Sequence, residues 1–180
     1  MNRRDVLRVL SGAVVVPMLA PLSLETRLAI GRAIHGRLAG RALRSLDAHQ
    51  NATITAIAEM IIPETDTPGA TTVRVNEFID LLVTEWYQAP ERDELLAGIA
   101  AIDTRSQETR GASLVNLPAA DQAALLESLD GAQGPDGSAE WAFARIKDLT
   151  IYGYFTSEVV MKDVIHYQVI PGRHDGCIHV

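Results

Sequence analysis

Apolar residues recur along most of this chain at every third or fourth position, the spacing of a helix, and hardly anywhere in the alternation of a strand. The clearest run is Val75, Phe78, Ile79, Leu82, Val83 and Trp86, with Glu77, Asp80 and Glu85 assigned to the opposite, polar face. A stripe of that width predicts a helix packed on a core. Upstream, Ile54, Ile57, Ala58, Ile61 and Ile62 predict a helix of about three turns, opened by Asn51 as N-cap and stopped by Pro63. Leu95, Leu96, Ile99 and Ile102 place another from near Glu91, fading in the polar stretch from Asp103 to Ser113. Pro118 at a first helical position, with Leu117 before it as a staple, starts one through Leu125, Leu126 and Leu129. Ser138 caps the next, carrying Phe143, Ile146 and Leu149, and Thr156 or Ser157 opens a last one with Val159, Val160, Met161 and Val164.

Turn chemistry separates these runs. In Thr65-Asp66-Thr67-Pro68-Gly69, Asp66 can bond backbone amides, Pro68 fixes its own dihedral and Gly69 allows a positive one. Gly131 to Gly137 reads as a loop. The expectation is an all-α fold, a compact bundle of about five to six helices over 50–165. An irregular C-terminal arm follows, 166–180.

Length and composition suit one such domain: 180 residues, 47% hydrophobic, carry enough apolar side chain to offset the entropy of ordering them. The formal charge of -7 hides an asymmetry, because residues 1–45 hold eight arginines against Asp5 and Glu25, leaving +6 there and -13 on the rest. An acidic body with scattered cations argues against binding nucleic acid. Within 25–49, the arginines from 27 to 44 interleave with Leu28, Ile30, Ala33, Ile34, Leu38, Leu43 and Leu46. A basic amphipathic helix or linker would look like this, lying on anionic headgroups or turning a solvated face to water. Residues 1–24 differ again. Asn2-Arg3-Arg4-Asp5-Val6-Leu7-Arg8 precedes sixteen uncharged residues, Val9 to Leu24, and resembles a twin-arginine export signal. That stretch, interrupted by Pro17 and Pro21, falls short of the about 20 residues a bilayer-spanning helix needs. The resemblance implies handling by the twin-arginine translocase, folding in the cytoplasm and a working place in the periplasm. Ala20 before Pro21 is a poor cleavage site, so an uncleaved signal holding the chain at the membrane stays open.

A search for chemistry assigns no catalytic, cofactor-binding or metal-binding residue. The glycines at 131, 134 and 137 match neither a dinucleotide fingerprint nor a P-loop. Ser113 in Gly111-Ala112-Ser113-Leu114-Val115 lacks the second glycine of a nucleophile elbow. The single cysteine, Cys177, excludes an internal disulfide and a C-x-x-C-H haem attachment. Asp163 and His166 form one incomplete substitute for the paired Glu-x-x-His of a di-iron bundle. His174 and His179, beside Asp175 and Cys177, read as tail residues or partner contacts, or else as the ligands of a self-sufficient exported metalloprotein. Glu59, Glu64 and Asp66 read as helix-surface and turn residues.

One segment stands apart. Tyr152, Tyr154 and Phe155, three of the nine aromatics, flank Gly153 just before Ser157 and Glu158, and neighbouring helical positions cannot all lie on one buried stripe. Either some rings face a second surface or they close the domain's own core as an aromatic corner. The tail carrying Pro171, Gly172, His174, Asp175, Gly176 and Cys177 has no period and needs a surface to lie on. These two segments form the candidate partner interface.

Several motifs converge on one family. Ile57-Ala58-Glu59-Met60-Ile61-Ile62-Pro63, Thr65-Asp66-Thr67-Pro68-Gly69-Ala70, Val75 to Leu82, Lys147-Asp148-Leu149-Thr150 through Tyr152-Gly153-Tyr154-Phe155-Thr156-Ser157-Glu158, and Pro171-Gly172 to Gly176-Cys177 resemble the gluconate 2-dehydrogenase subunit 3 family over about residues 50 to 178. Val159-Val160 departs from it, standing where a glycine is expected. The resemblance implies an exported, non-catalytic small subunit beside an FAD-dependent dehydrogenase of the glucose-methanol-choline type, acting on a sugar or sugar acid. The large subunit would hold FAD, and electrons would pass to a cytochrome c subunit or a quinone pool. A further possibility it raises is that Tyr154, Glu158 or His174 reaches the partner's substrate entrance.

Overall fold

A computed structural model describes residues 22–38 and 42–166. Six α-helices account for most of them: α1 (Leu24–His35), α2 (Ala48–Ile61), α3 (Val75–Glu85), α4 (Ala89–Arg110), α5 (Ala119–Leu129) and α6 (Ala139–Thr156). A 3-10 turn lies at Leu114–Asn116 and a π turn at Val160–Val164, and no strand occurs among the described residues. The all-α expectation holds. Arg3 and Arg4 fall outside the described residues, as do Pro171, Gly172, His174, Asp175, Gly176 and Cys177.

Helix α6 is the centre of the bundle and touches each of the other five. Its buried side chains Phe143, Ile146 and Leu149 join Leu95, Ile99 and Ile102 of α4, Ile54 and Ile57 of α2, and Phe78, Ile79 and Leu82 of α3 in one continuous core. The apolar stripes read from the sequence are therefore the stripes that pack.

The helix ends depart from the periodicity in informative ways. Helix α2 begins at Ala48 rather than beyond Asn51, because Asp47 accepts the Gln50 amide at 2.8 Å while Gln50 Oε1 accepts the Asp47 amide at 3.0 Å. Asn51 is left to accept from Asn76 Nδ2 of α3 at 2.9 Å. Helix α4 does not fade at Asp103. It continues to Arg110, with Ser106 extending the buried face and donating to the Ala112 carbonyl at 2.6 Å, and ends only where Gly111 adopts φ 82°, a left-handed C-cap. Pro118 is the N-cap of α5 rather than its first residue. Ser138 caps α6 as expected, its Oγ accepting the Trp141 amide at 3.2 Å. The expected last helix is instead the π turn, closed by the Ile165 amide on the Val160 carbonyl at 2.9 Å.

Three further expectations change. Gly69 does not use the positive φ open to it; glycine is needed there because a Cβ would sit 2.6 Å from Glu59 Oε1 and 2.7 Å from the Glu64 nitrogen. The left-handed residue of that region is Arg74, φ 60°, at the N-cap of α3. Asp80 is not on a polar face but buried, 4% exposed. Finally, the basic segment is not one helix reaching Arg44. Helix α1 stops at His35, and Leu28, Ile34, Leu38 and Leu46 all enter the common core. Its apolar face meets the body of the protein, with the exposed arginines turned to water. Among the described residues no helix is long and apolar enough to cross a membrane.

Candidate functional site

The aromatic segment is where the fold concentrates its directional bonds. Tyr152, Tyr154 and Phe155 are all buried, so in this chain their rings form the aromatic corner of its own core rather than a face presented to a second surface. Tyr152 packs edge-on against Phe78, ring centres 5.4 Å apart, and its hydroxyl donates to the Arg27 carbonyl of α1 at 2.6 Å. Tyr154 meets Phe155 edge-on at 5.2 Å, and its hydroxyl donates to the Pro68 carbonyl at 2.7 Å. The hydroxyl that could have reached a sugar is thus engaged with the 65–69 turn. Gly153 lies between them because Phe78 occupies the place of its side chain; a Cβ would stand 2.8 Å from that ring.

The turn is fixed from the other side by Glu59. Its two carboxylate oxygens accept the Glu64 and Thr71 amides, each at 3.0 Å, and these hydrogen bonds hold the carboxyl below its usual range even though burial works against them. Glu59, read from sequence as a surface residue, is a loop staple. The motifs at 57–70 and 147–158 are consequently two halves of one construction, joined by Tyr154 and Pro68.

His35, at the last turn of α1, closes the construction. Its Nε2 lies 2.7 Å from the Gly153 carbonyl, which can only accept, so Nε2 carries the proton. The ring stacks on Phe78 with centres 4.7 Å apart. Burial lowers its pKa, opposed in part by the bond to Gly153, and so favours the neutral imidazole. The periodicity offered one signal for His35: it falls seven positions after Leu28, on the same helical face.

Above His35 a groove of about 500 Å³ opens between α1, the residues leading into α3, and the π turn. Leu38, Val73, Val159 and Met161 give it an apolar lining, and Arg32, Arg74 and Lys162 bring cations to it. Arg74 donates through Nε to Glu77 at 2.8 Å and through Nη2 to the Leu38 carbonyl at 3.0 Å, which locks the end of the α1 segment to the start of α3. Holding a non-glycine residue at positive φ costs about 1 kcal/mol, and such strain persists only where surrounding contacts over-determine it. Glu158 is exposed and pairs with Lys162. Of the expected interface residues that are described, it is the one the fold leaves open; Ser157 turns inward and accepts the Val160 amide at 3.3 Å.

No three His, Cys, Asp or Glu side chains gather as a metal site would require among the described residues, where Asp163 and His166 belong; His174, His179 and Cys177 lie outside them. No curated protein and no solved structure matches the chain. The family model described as gluconate 2-dehydrogenase subunit 3 matches residues 48–172, from the first turn of α2 past the π turn. That span holds the Glu59 staple, the 65–69 turn and the aromatic corner, and leaves α1 outside. With well over half of its length so matched, the chain belongs to the gluconate 2-dehydrogenase subunit 3 family.

Proposed function

We propose that this chain is the non-catalytic small subunit of an FAD-dependent sugar or sugar-acid dehydrogenase, and that it binds, stabilises and escorts the catalytic subunit for export. The observation that carries the reading is the family match over 48–172 on a chain that opens with Arg3-Arg4 and a short uncharged stretch. In support, the polar side chains of the described aromatic corner serve the fold: two tyrosine hydroxyls and His35 all meet backbone carbonyls. The flavin and the groups that take the substrate's proton and hydride then belong to the partner, of the glucose-methanol-choline type, with a cytochrome c subunit or quinone receiving the electrons. The twin-arginine route carries folded proteins, so one signal on the small subunit would take a flavin-loaded partner with it into the periplasm.

The test is the double substitution Arg3→Lys and Arg4→Lys in a host making both subunits, read by cell fractionation. Both subunits are expected to stay in the cytoplasm; normal periplasmic dehydrogenase in that strain would overturn the escort.

A further inference from the structure

We infer that the groove between α1 and the π turn is the docking site for a carboxylate-bearing segment of the flavin subunit, and that this segment braces α1, which follows the signal-like segment, against the family body. The inference rests on the accessory-subunit reading and names the surface through which it works.

Charge is the first argument. Outside its first 45 residues the chain carries a formal -13, and of the three cations at the groove Arg74 is paired with Glu77 and Lys162 with Glu158, which leaves Arg32, from the basic segment, as the uncompensated one. One uncompensated guanidinium at the rim of an apolar groove selects a carboxylate. Arg32 is the cation best placed to receive one. Its Nε donates to the Leu28 carbonyl at 3.3 Å, and its two terminal nitrogens have no partner among the described residues. A guanidinium held this way presents a fork suited to a carboxylate.

The apolar lining is the second argument. Val159, 42% exposed, is the large hydrophobic side chain that the described structure leaves in water, and it lies at the groove beside Leu38 and Val73. An aliphatic side chain next to the incoming carboxylate would cover it. The two walls also have different origins. Arg32, His35 and Leu38 come from the α1 segment, before the family match begins; Thr156 to Lys162 come from within it. A segment seated here touches both, so cargo binding would tighten the attachment of the helix that follows the export signal.

The experiment places a photo-crosslinking amino acid at Val159 in the full chain, co-expressed with the flavin subunit, and identifies the linked peptide by mass spectrometry. The expected product joins Val159 to a flavin-subunit peptide with Asp or Glu beside the linked residue. The double variant Arg32→Glu, Lys162→Glu should cut both the link and the co-purified flavin at least tenfold, while Arg32→Lys keeps them and the isolated variants melt as the wild type does. A link to residues 167–180 of the same chain, to a second copy, or to the flavin subunit at full yield in the charge-reversed variant would overturn the inference. The untagged-site control separates the two levels: wild-type chain that brings down no flavoprotein defeats the accessory reading itself. Wild type that brings it down normally, with Val159 unlinked to it, defeats only the groove.

Discussion

Two seams, α6 against α4 and the α1 segment against α6 and α3, are held by different physics. Against α4 the contact is mainly aliphatic, Leu95, Ile99 and Ile102 lying in one core with Ala142, Ile146 and Leu149, all buried, and one ion pair, Arg105 to Glu140 at 2.8 Å, crosses it at the edge. Against α1 and the segment after it, apolar burial is supplemented by bonds to single backbone atoms. His35 meets the Gly153 carbonyl, Tyr152 the Arg27 carbonyl and Arg74 the Leu38 carbonyl. Asp80 accepts the amides of Ser45 and Leu46 at 2.9 Å and that of Arg44 at 3.0 Å. The first seam depends chiefly on volume, down to Gly98, where a Cβ would stand 2.5 Å from that of Ala142. The second depends on register, because a carbonyl or amide displaced by an ångström no longer bonds. That contrast suits an added segment that must sit in one orientation on a family body.

The comparison breaks most visibly at the aliphatic seam. Ile99→Ala removes a fully buried side chain and is expected to cost about 3 kcal/mol, leaving α1 docked until the whole domain unfolds; denaturant titration reads it. An effect under about 1 kcal/mol would mean that the seam refills by collapse.

Next comes Asp80→Ala, which strips the charged acceptor from three amides. A loss of about 2 kcal/mol is expected. Its signature should be local: hydrogen exchange at 44–46 accelerates while the α4 and α6 amides keep their protection, provided the conditions favour local opening. Uniform acceleration would merge the two seams into one cooperative unit.

The smallest effect separates them by pH. The folded pKa of His35 lies below its unfolded 6.5, so the unfolded chain binds the extra proton, and stability falls as pH drops through 6.5 toward the lowered folded value. Asp148 works in the opposite sense, since burial raises its carboxyl to about 6 and its contribution is lost as pH rises through that value. Comparing His35→Gln with wild type cancels the Asp148 part. The variant should lose less stability on acidification, and identical pH profiles would show that folding leaves the proton affinity of His35 unchanged.

Much of the body was legible because burial writes itself into periodicity. The stripes of α2, α3, α4 and α6 could be read directly, and the family resemblance drawn from the 57–70 and 147–158 motifs agrees with the match over 48–172. Helix ends were less legible. Asp47 outcompetes Asn51 as a cap through Gln50, and α4 outlasts its apolar stripe because the small polar Ser106 carries the buried face one turn past Ile102. The aromatic segment was seen but its direction was open, since nothing local says that the Tyr154 hydroxyl will find Pro68.

By itself the sequence determined an all-α domain, which faces of its main helices are apolar, the asymmetry of its charge and the family to which it belongs. Only the tertiary structure decided that Asp80 is buried, that Glu59 is a staple, and that Arg32, Arg74 and Val159 share a groove. The reason is physical. Hydrophobic burial follows the local period of a helix, whereas a directional bond joins atoms distant in the chain, and their meeting depends on how the helices cross.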